Sequence, residues 1–562
     1  MIDEKEFKKN LDNMSHDALV SFAYSLAVKN SALEENYQAL RRRVFGIKHN
    51  EHNPHVSPDQ LSLFNEAEAI DDTASVDQKK EPSGDDIIVK PSKKHRHGKN
   101  AKLKNVRIID EPDIELEDRN CPKCSKPMGE LAPTVFEWLE HIPEEYVLHR
   151  VRIHNYTCHS CNNQNMNCVT YHGNTDCLPV KPIQSSLASA SVISHIAYEK
   201  YLVAVPIYRL SKDLRTRGIE ISRQVMCSWL MKCAELYLDP IVRRMTEDLR
   251  KCKVLNMDET SLEVLEDIRN GSREKSYTWL AMSGKHETKQ MALYFYNVSR
   301  AYSFIYEILG HDFHGVIQSD GYQAYDKYEA ARAHAGCSAH CRRKFEEAAK
   351  AYTDLYAKYS SLKDKEEIKQ LLDNNPSFGL IIRFLDEYSK LYGIEKQLNE
   401  AKASPDTILR IRQEKEKPIW EELRNQLDYM DEKLMTSGKL GKAITYAKNQ
   451  WDKLMYYLSD WQVGLDNNLA EREGIKPFVL ARKNFLFADT KHGAKYSCMY
   501  FSILISARMN SLNPEKYLAW LIDQMARASV NGGIQEEDIQ RCLPYAADLP
   551  QDLQISKNCS EF

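Results

Sequence analysis

Lys253 to Glu266 reads KVLNMDETSLEVLE, Ser276 to Gly284 reads SYTWLAMSG, and Met291 to Ser299 reads MALYFYNVS. These three runs are rich in branched and aromatic residues and predict successive strands. AYSFIYEILG (301–310) follows with a helical pattern, and GVIQSDGYQAY (315–325) reads as a buried apolar strand ending in a carboxylate. Three strands, a helix and a fourth strand are the order of a ribonuclease-H-like core. That order puts Asp258 on the first strand and Asp320 at the end of the fourth. A third acid, Glu471, stands in DNNLAEREGIKPFVLARKNFLF (466–487), shortly after the helix-capping run Asp466-Asn467-Asn468.

Acids in that pattern suit one chemistry. In-line displacement at a phosphodiester uses two divalent ions about 3.5–4 Å apart, and hard cations prefer carboxylate oxygen. The expectation is two Mg2+ (or Mn2+) ions held by Asp258, Asp320 and Glu471, with Arg472, Lys476, Arg482 and Lys483 supplying positive charge for phosphates. Glu259 should point to the opposite face of its strand, outside the metal set. Taken alone, Asp-Glu-Thr and Ser-Asp-Gly are also common turn sequences.

Outward from the core, Ser185 to Asp239 is helical in pattern. IYRLSKDLRTRG places Ile207, Leu210 and Leu214 on one face and stops at Gly218. Ser222 then caps a second helix whose Val225, Met226, Trp229 and Leu230 should face inward. The pair reads as a helix-turn-helix with Arg223, Gln224 and Ser228 directed at a major groove, although any helical hairpin carries the same pattern. Before it, CPKC (Cys121, Cys124) and CHSC (Cys158, Cys161) are separated by 33 residues with strand-like alternation. Two such pairs can aim four thiolates at one structural Zn2+, as in a zinc ribbon.

At the start of the chain, Leu19, Leu26, Leu33 and Leu40 recur every seven residues, the seam of a two-stranded coil or of one docked amphipathic helix. From Lys90 to Arg107 there are eight Lys or Arg and no acid. That local charge suits a phosphate backbone, even though the 562-residue chain has a net formal charge of -4. No secretory signal is visible, and the apolar run Tyr500 to Ala507 is too short to span a bilayer. With fourteen cysteines and no export signal, reduced thiols in a cytoplasmic, nucleoid-associated protein are expected.

The expected architecture is multidomain α+β. Residues 1–50 form a leucine-zipper-like helix, 51–115 a flexible basic linker, 116–180 the zinc module and 185–245 the helix-turn-helix. Residues 251–335 and 461–530 form the catalytic core, 336–460 a helical insertion and 531–562 a tail.

The chain resembles the transposases of the bacterial insertion-sequence-66 family over nearly its whole length. The likeness rests on RRRVFGIKHNE, DQLSLFNEAE, the two CxxC pairs, PIYRLSKDLRTRGIEISRQVMCSWL, MDET, SDGYQAYD, GCSAHCRRKFEEA, the block around Glu471, and SLNPEKYLAWL. It implies a DDE triad on Asp258, Asp320 and Glu471, with binding of the element's inverted ends, strand cleavage and strand transfer. It also implies a C-x-x-H signature at Cys337 to His340, with His340, Arg342, Arg343 and Lys344 gripping DNA. The implied partners are element-end and target DNA, a second copy of the chain or more, and small accessory proteins. Ser338 and Glu473 depart from the family pattern, which has an aromatic and a small apolar residue there. The competing readings are a DNA-binding regulator with an inert core and a nuclease that cuts without joining.

Overall fold

The structure is a computed structural model. It describes residues 107–555 except 122, 143–144, 158–170, 185, 273–274 and 434–437. The leucine seam, the basic stretch up to residue 106, and Cys158 and Cys161 lie outside the described residues. The chain is mixed α and β with two mixed sheets, and it divides into two compact units. One is His314–Asn468; the other combines the described residues before His314 with those from Leu469 onward.

The larger unit opens with a sheet built on a long antiparallel hairpin, β2 (Gly129–Ile142) and β3 (Glu145–Thr157). Strand β1 (Arg107–Asp110) joins β3 in parallel, and β4 (Tyr171–His172) pairs with the end of β3. The linker expected to reach residue 115 therefore ends earlier. RIID is too short to show an alternation, and only its pairing with β3 makes it a strand. The helices α1 (Ala190–Tyr201), α2 (Ile207–Thr216), α3 (Arg223–Cys233) and α4 (Asp239–Leu249) follow.

Next come β5 (Val254–Val264), β6 (Ser276–Ser283) and β7 (Ala292–Asn297), an antiparallel run in the order β7-β6-β5, and then α5 (Ser303–Leu309). Seven of the eight β6 residues are buried, Ser276, Thr278 and Ser283 among them, so both faces of this strand are covered.

The smaller unit starts with the parallel pair β8 (Val316–Gln318) and β9 (Ala333–Ala335). From α6 (Ser338–Ala351) through α7 (Pro376–Glu400), α8 (Lys417–Lys433) and α9 (Gly438–Met455), its described elements are helical. At its centre, the buried Trp420 donates its indole N–H to the Tyr457 hydroxyl (3.0 Å), which donates to Glu416 Oε2 (2.8 Å).

Burial, reinforced by the neighbouring Glu395, pushes the Glu416 carboxyl up to about 7, against about 4.3 for an ordinary glutamate. The folded state therefore holds the extra proton between those values. This contribution to stability is complete below about 4.3 and is lost as pH rises through 7. Glu416→Gln should flatten that decline. Urea unfolding at pH 5 and pH 8 checks it, and a wild-type-minus-variant difference that does not change with pH would contradict it.

The chain returns to the larger unit through a π-helical turn (Ala470–Ile475), α10 (Lys476–Phe485), β10 (Phe487–Ala488, parallel to β5), α11 (Lys491–Met509) and α12 (Pro514–Val530). Helix α11 covers β7. Ser502 and Ser506, four residues apart on one face, accept the Tyr294 and Ala292 N–H groups at 2.9 and 3.0 Å. The backbone of β7 is thus satisfied by hydroxyls rather than left as an open edge. Residues after 530, expected to be a tail, pack down instead. Tyr517 donates to the Cys542 carbonyl at 2.6 Å, and Leu543 and Leu553 are buried. Among the described residues no helix is long and apolar enough to cross a membrane.

Candidate active site

In the larger unit, Asp258 lies in the middle of β5, half-buried, with Oδ1 accepting the Glu259 N–H at 2.8 Å. Glu259 takes the alternate face and is bound by the Arg300 guanidinium, whose Nε donates at 2.7 Å, so it is committed elsewhere. The register partner of Asp258 is Leu280 on β6.

Glu471 is the second residue of the π-helical turn, which packs on both β5 and β6. A wide turn of this kind is a local irregularity often found at functional sites. Gly474 is what lets it approach: a Cβ there would stand 2.3 Å from Leu280 Cδ2. The buried Tyr294 hydroxyl donates to the Gly474 carbonyl at 2.8 Å and pins the turn. The helix carrying Glu471 is thereby seated on the residue paired with Asp258. Gly474→Ala should force the turn off the sheet at a cost of about 1–3 kcal/mol, with a larger fractional loss of activity than of stability. Thermal unfolding and a DNA-joining assay check this together; unchanged joining would count against it.

In the smaller unit, Asp320 follows β8 by two residues, half-buried, and its Oδ1 accepts the Tyr322 N–H at 2.9 Å. A Cβ on Gly321 would meet the Tyr446 ring at 2.5 Å, so this turn lies tight against α9. The Gln318 amide donates to the carbonyls of Gly336 (3.2 Å) and Gly464 (2.7 Å). The Asn467 N–H donates to Cys337 Sγ at 3.2 Å, and Asn468 N–H to Asp466 Oδ1 at 3.0 Å. The segment running toward Glu471 is therefore clamped beside the strand that carries Asp320. Ser338, one of the two departures, is wholly buried at the start of α6, where no aromatic ring would fit without repacking. Glu473, the other, pairs with Arg508 at 2.7 Å.

The basic candidates divide by environment. Arg472, Lys476 and Lys483 are exposed. Arg482 is not available in the same way: it is half-buried and donates to the Thr260 and Ser261 hydroxyls at 3.0 and 3.3 Å, bracing α10 on β5. Arg343 is exposed, Arg342 lies 3.8 Å from Glu346, and Lys344 sits 4.7 Å over the Tyr446 ring. His340 is half-buried in the first turn of α6.

Helices α2 and α3 form the expected pair, with Gly218 at φ 82° in the turn and the Ser222 hydroxyl capping Val225 N–H. Met226, Trp229 and Leu230 face inward, but Val225 is exposed. Val225 belongs to the exposed first turn, a turn before Trp229. Gln224 is exposed, and Arg223 and Ser228 are half-buried.

Cys121 is buried against Met128 and Tyr156, with Cys124 beside them. The CPKC turn closes through Ser125 N–H to Cys121 O (2.7 Å), with Ser125 at φ 55°. Tyr156 is two residues before Cys158 in the sequence.

Mixed sheets flanked by helices make this an α+β protein. The chain belongs to the transposase IS66 family, whose model matches residues 185–496. Among similar proteins are three uncharacterised proteins of Sinorhizobium fredii. Protein y4jD is 26% identical over 77% of this chain and 79% of its own length. Protein y4hP is 24% identical over 76% of this chain and 72% of its own, and y4qI is 26% identical over 65% and 64%.

Proposed function

We propose that the protein is a DDE transposase that binds the inverted ends of its own element, cleaves them and joins them to target DNA. The observation that carries this reading is the seating of the Glu471 turn, through Gly474, on the strand pair that holds Asp258. The clamp of residues 464–468 beside the strand carrying Asp320 supports it from the other unit. The donor set fits hard divalent cations: three half-buried carboxylates and no thiolate among them. Asp258, Asp320 and Glu471 would hold Mg2+ or Mn2+, which when bound supplies nucleophile activation and charge stabilisation.

The chain's own groups do the rest. Arg472, Lys476, Lys483, Arg342, Arg343 and Lys344 neutralise phosphate, and His340 steadies the strand near the cut. Arg223, Gln224 and Ser228 read the element end from α3. Hydrolysis of one phosphodiester releases a 3′-hydroxyl, and attack of that hydroxyl on a target phosphodiester makes one bond as it breaks another. Cys121, Cys124, Cys158 and Cys161 would hold one structural Zn2+. The buried Cys121 and the closed CPKC turn fit that role. Joining two ends in concert calls for at least a homodimer, with accessory proteins as further partners.

The test incubates the purified chain and magnesium with a labelled element-end duplex and a target plasmid. Joined product supports the reading. End binding without cutting or joining, even with the accessory proteins present, would replace it with the regulator.

A further inference from the structure

Apart from the three acids, three elements of the larger unit bring two imidazoles to one carboxylate. His141 is at the end of β2, His195 is in α1, and Glu515 is in the first turn of α12. His195 Nδ1 lies 2.9 Å and His141 Nδ1 3.5 Å from the same oxygen, Glu515 Oε1. The two imidazoles stack with centroids 3.8 Å apart and planes 25° apart. One donor atom from each of the three residues falls within 4.8 Å of the other two.

A hydrogen-bond account covers only part of this. It satisfies His195 at 2.9 Å but leaves His141 at 3.5 Å, beyond a good N–H···O bond. Donor atoms around a tetrahedral zinc ion stand roughly 3.3 Å apart, and both distances bracket that value. The three elements are also held together by bonds that do not involve the two imidazoles or the Glu515 carboxylate. The His141 N–H donates to Ser191 Oγ (3.1 Å), Leu139 N–H to the Leu187 carbonyl (2.6 Å), and Ser194 Oγ to the Glu515 carbonyl (2.5 Å). The backbone frame of the cluster is therefore set, and both histidines are largely shielded while Glu515 keeps access to solvent. To bring both in-plane lone pairs onto one ion, the two rings turn apart from their 3.8 Å stack.

We propose that His141, His195 and Glu515 form a second zinc-class divalent site, separate from both the cysteine pairs and the catalytic acids. Two imidazoles and one carboxylate favour zinc over magnesium, and three protein ligands leave a fourth position for water. Bound there, the ion adds a clasp between the end of the β2–β3 hairpin, α1 and α12 to the hydrogen bonds that already join them.

The test uses the full chain, stripped with chelator and reloaded with Zn2+, with bound zinc counted by mass spectrometry. Wild type should carry one zinc more per chain than His141→Ala, and one more than Glu515→Gln, which keeps the side-chain shape. Co2+ loading separates this site from the cysteines. The wild-type-minus-variant difference spectrum should show weak tetrahedral d–d absorption without thiolate charge transfer. Equal zinc in wild type and both variants, or a difference spectrum dominated by thiolate bands, would overturn the proposal and leave a hydrogen-bonded His–Glu cluster. The readout involves no strand joining, so its failure is distinct from failure of the transposase reading.

Discussion

Asp320→Asn and Glu471→Gln should each cut strand joining by at least about 1,000-fold, because several kcal/mol of transition-state stabilisation by a bound cation convert at about 1.4 kcal/mol per factor of ten. The amides are the informative substitutions. Asp320 Oδ1 accepts the Tyr322 N–H, and an asparagine oxygen still accepts it, so the turn is kept while the charge is lost. Alanine would add a broken turn worth about 1 kcal/mol and blur the reading. Glutamine at 471 likewise preserves the shape of the turn seated on β5 and β6. End binding should persist or tighten in both variants, since removing a carboxylate removes repulsion from phosphate.

The double variant should be little worse than either single one, because groups that act as a unit are non-additive. Gel-shift and joining assays on the same preparations decide the matter. Full joining by either amide would remove that residue from the triad. Parallel losses of binding and joining would mean a folding defect instead.

The order of β5, β6, β7, α5 and β8 was legible because strand and helix periods differ and each run is long enough to show one. Legibility failed where tertiary contact decides. RIID at 107–110 is a strand only because β3 offers it a partner. Val225 carries an apolar side chain in the first turn of α3, where the inward face starts only at Met226, so it stays exposed.

Chemistry and resemblance single out the acids, but what seats Glu471 is not readable in the sequence. A π-helical turn leaves no periodic trace over six residues, and Gly474 looks like an ordinary helix-weakening glycine until Leu280 stands against it. Arg482 reads as a DNA contact because charge is visible in sequence and a hydroxyl partner on β5 is not. His141, His195 and Glu515 leave no mark in the sequence: 374 positions separate the first from the last, and no spacing rule spans that distance.

Arg412→Ala should be the most damaging single change in the smaller unit, at about 3–5 kcal/mol. Arg412 is only 3% exposed and pairs through two nitrogens with Glu395, at 2.7 and 3.0 Å. Its remaining nitrogen donates to the carbonyls of Tyr457, Asp460 and Val463 at 2.8, 3.1 and 3.1 Å. One planar fork thus holds both a half-buried acid and the backbone that follows α9. Alanine strands the Glu395 charge and three acceptors, whereas lysine can supply only a point charge to one of them. Arg412→Lys should therefore recover less than half of the loss.

The paired change Arg412→Met with Glu395→Met removes the stranded charge, so it should be milder than Arg412→Ala but still short of wild type, because the three carbonyls stay without their donor. The loosened segment is the one that runs into the Gly464–Asn468 clamp, so joining should fall further than global stability does. Urea unfolding gives the first quantity, and hydrogen exchange across residues 457–463 shows whether the loss is local. An Arg412→Ala chain within about 1 kcal/mol of wild type, inside the range of an exposed ion pair, would mean that the fork is replaced by water and is not what holds this segment.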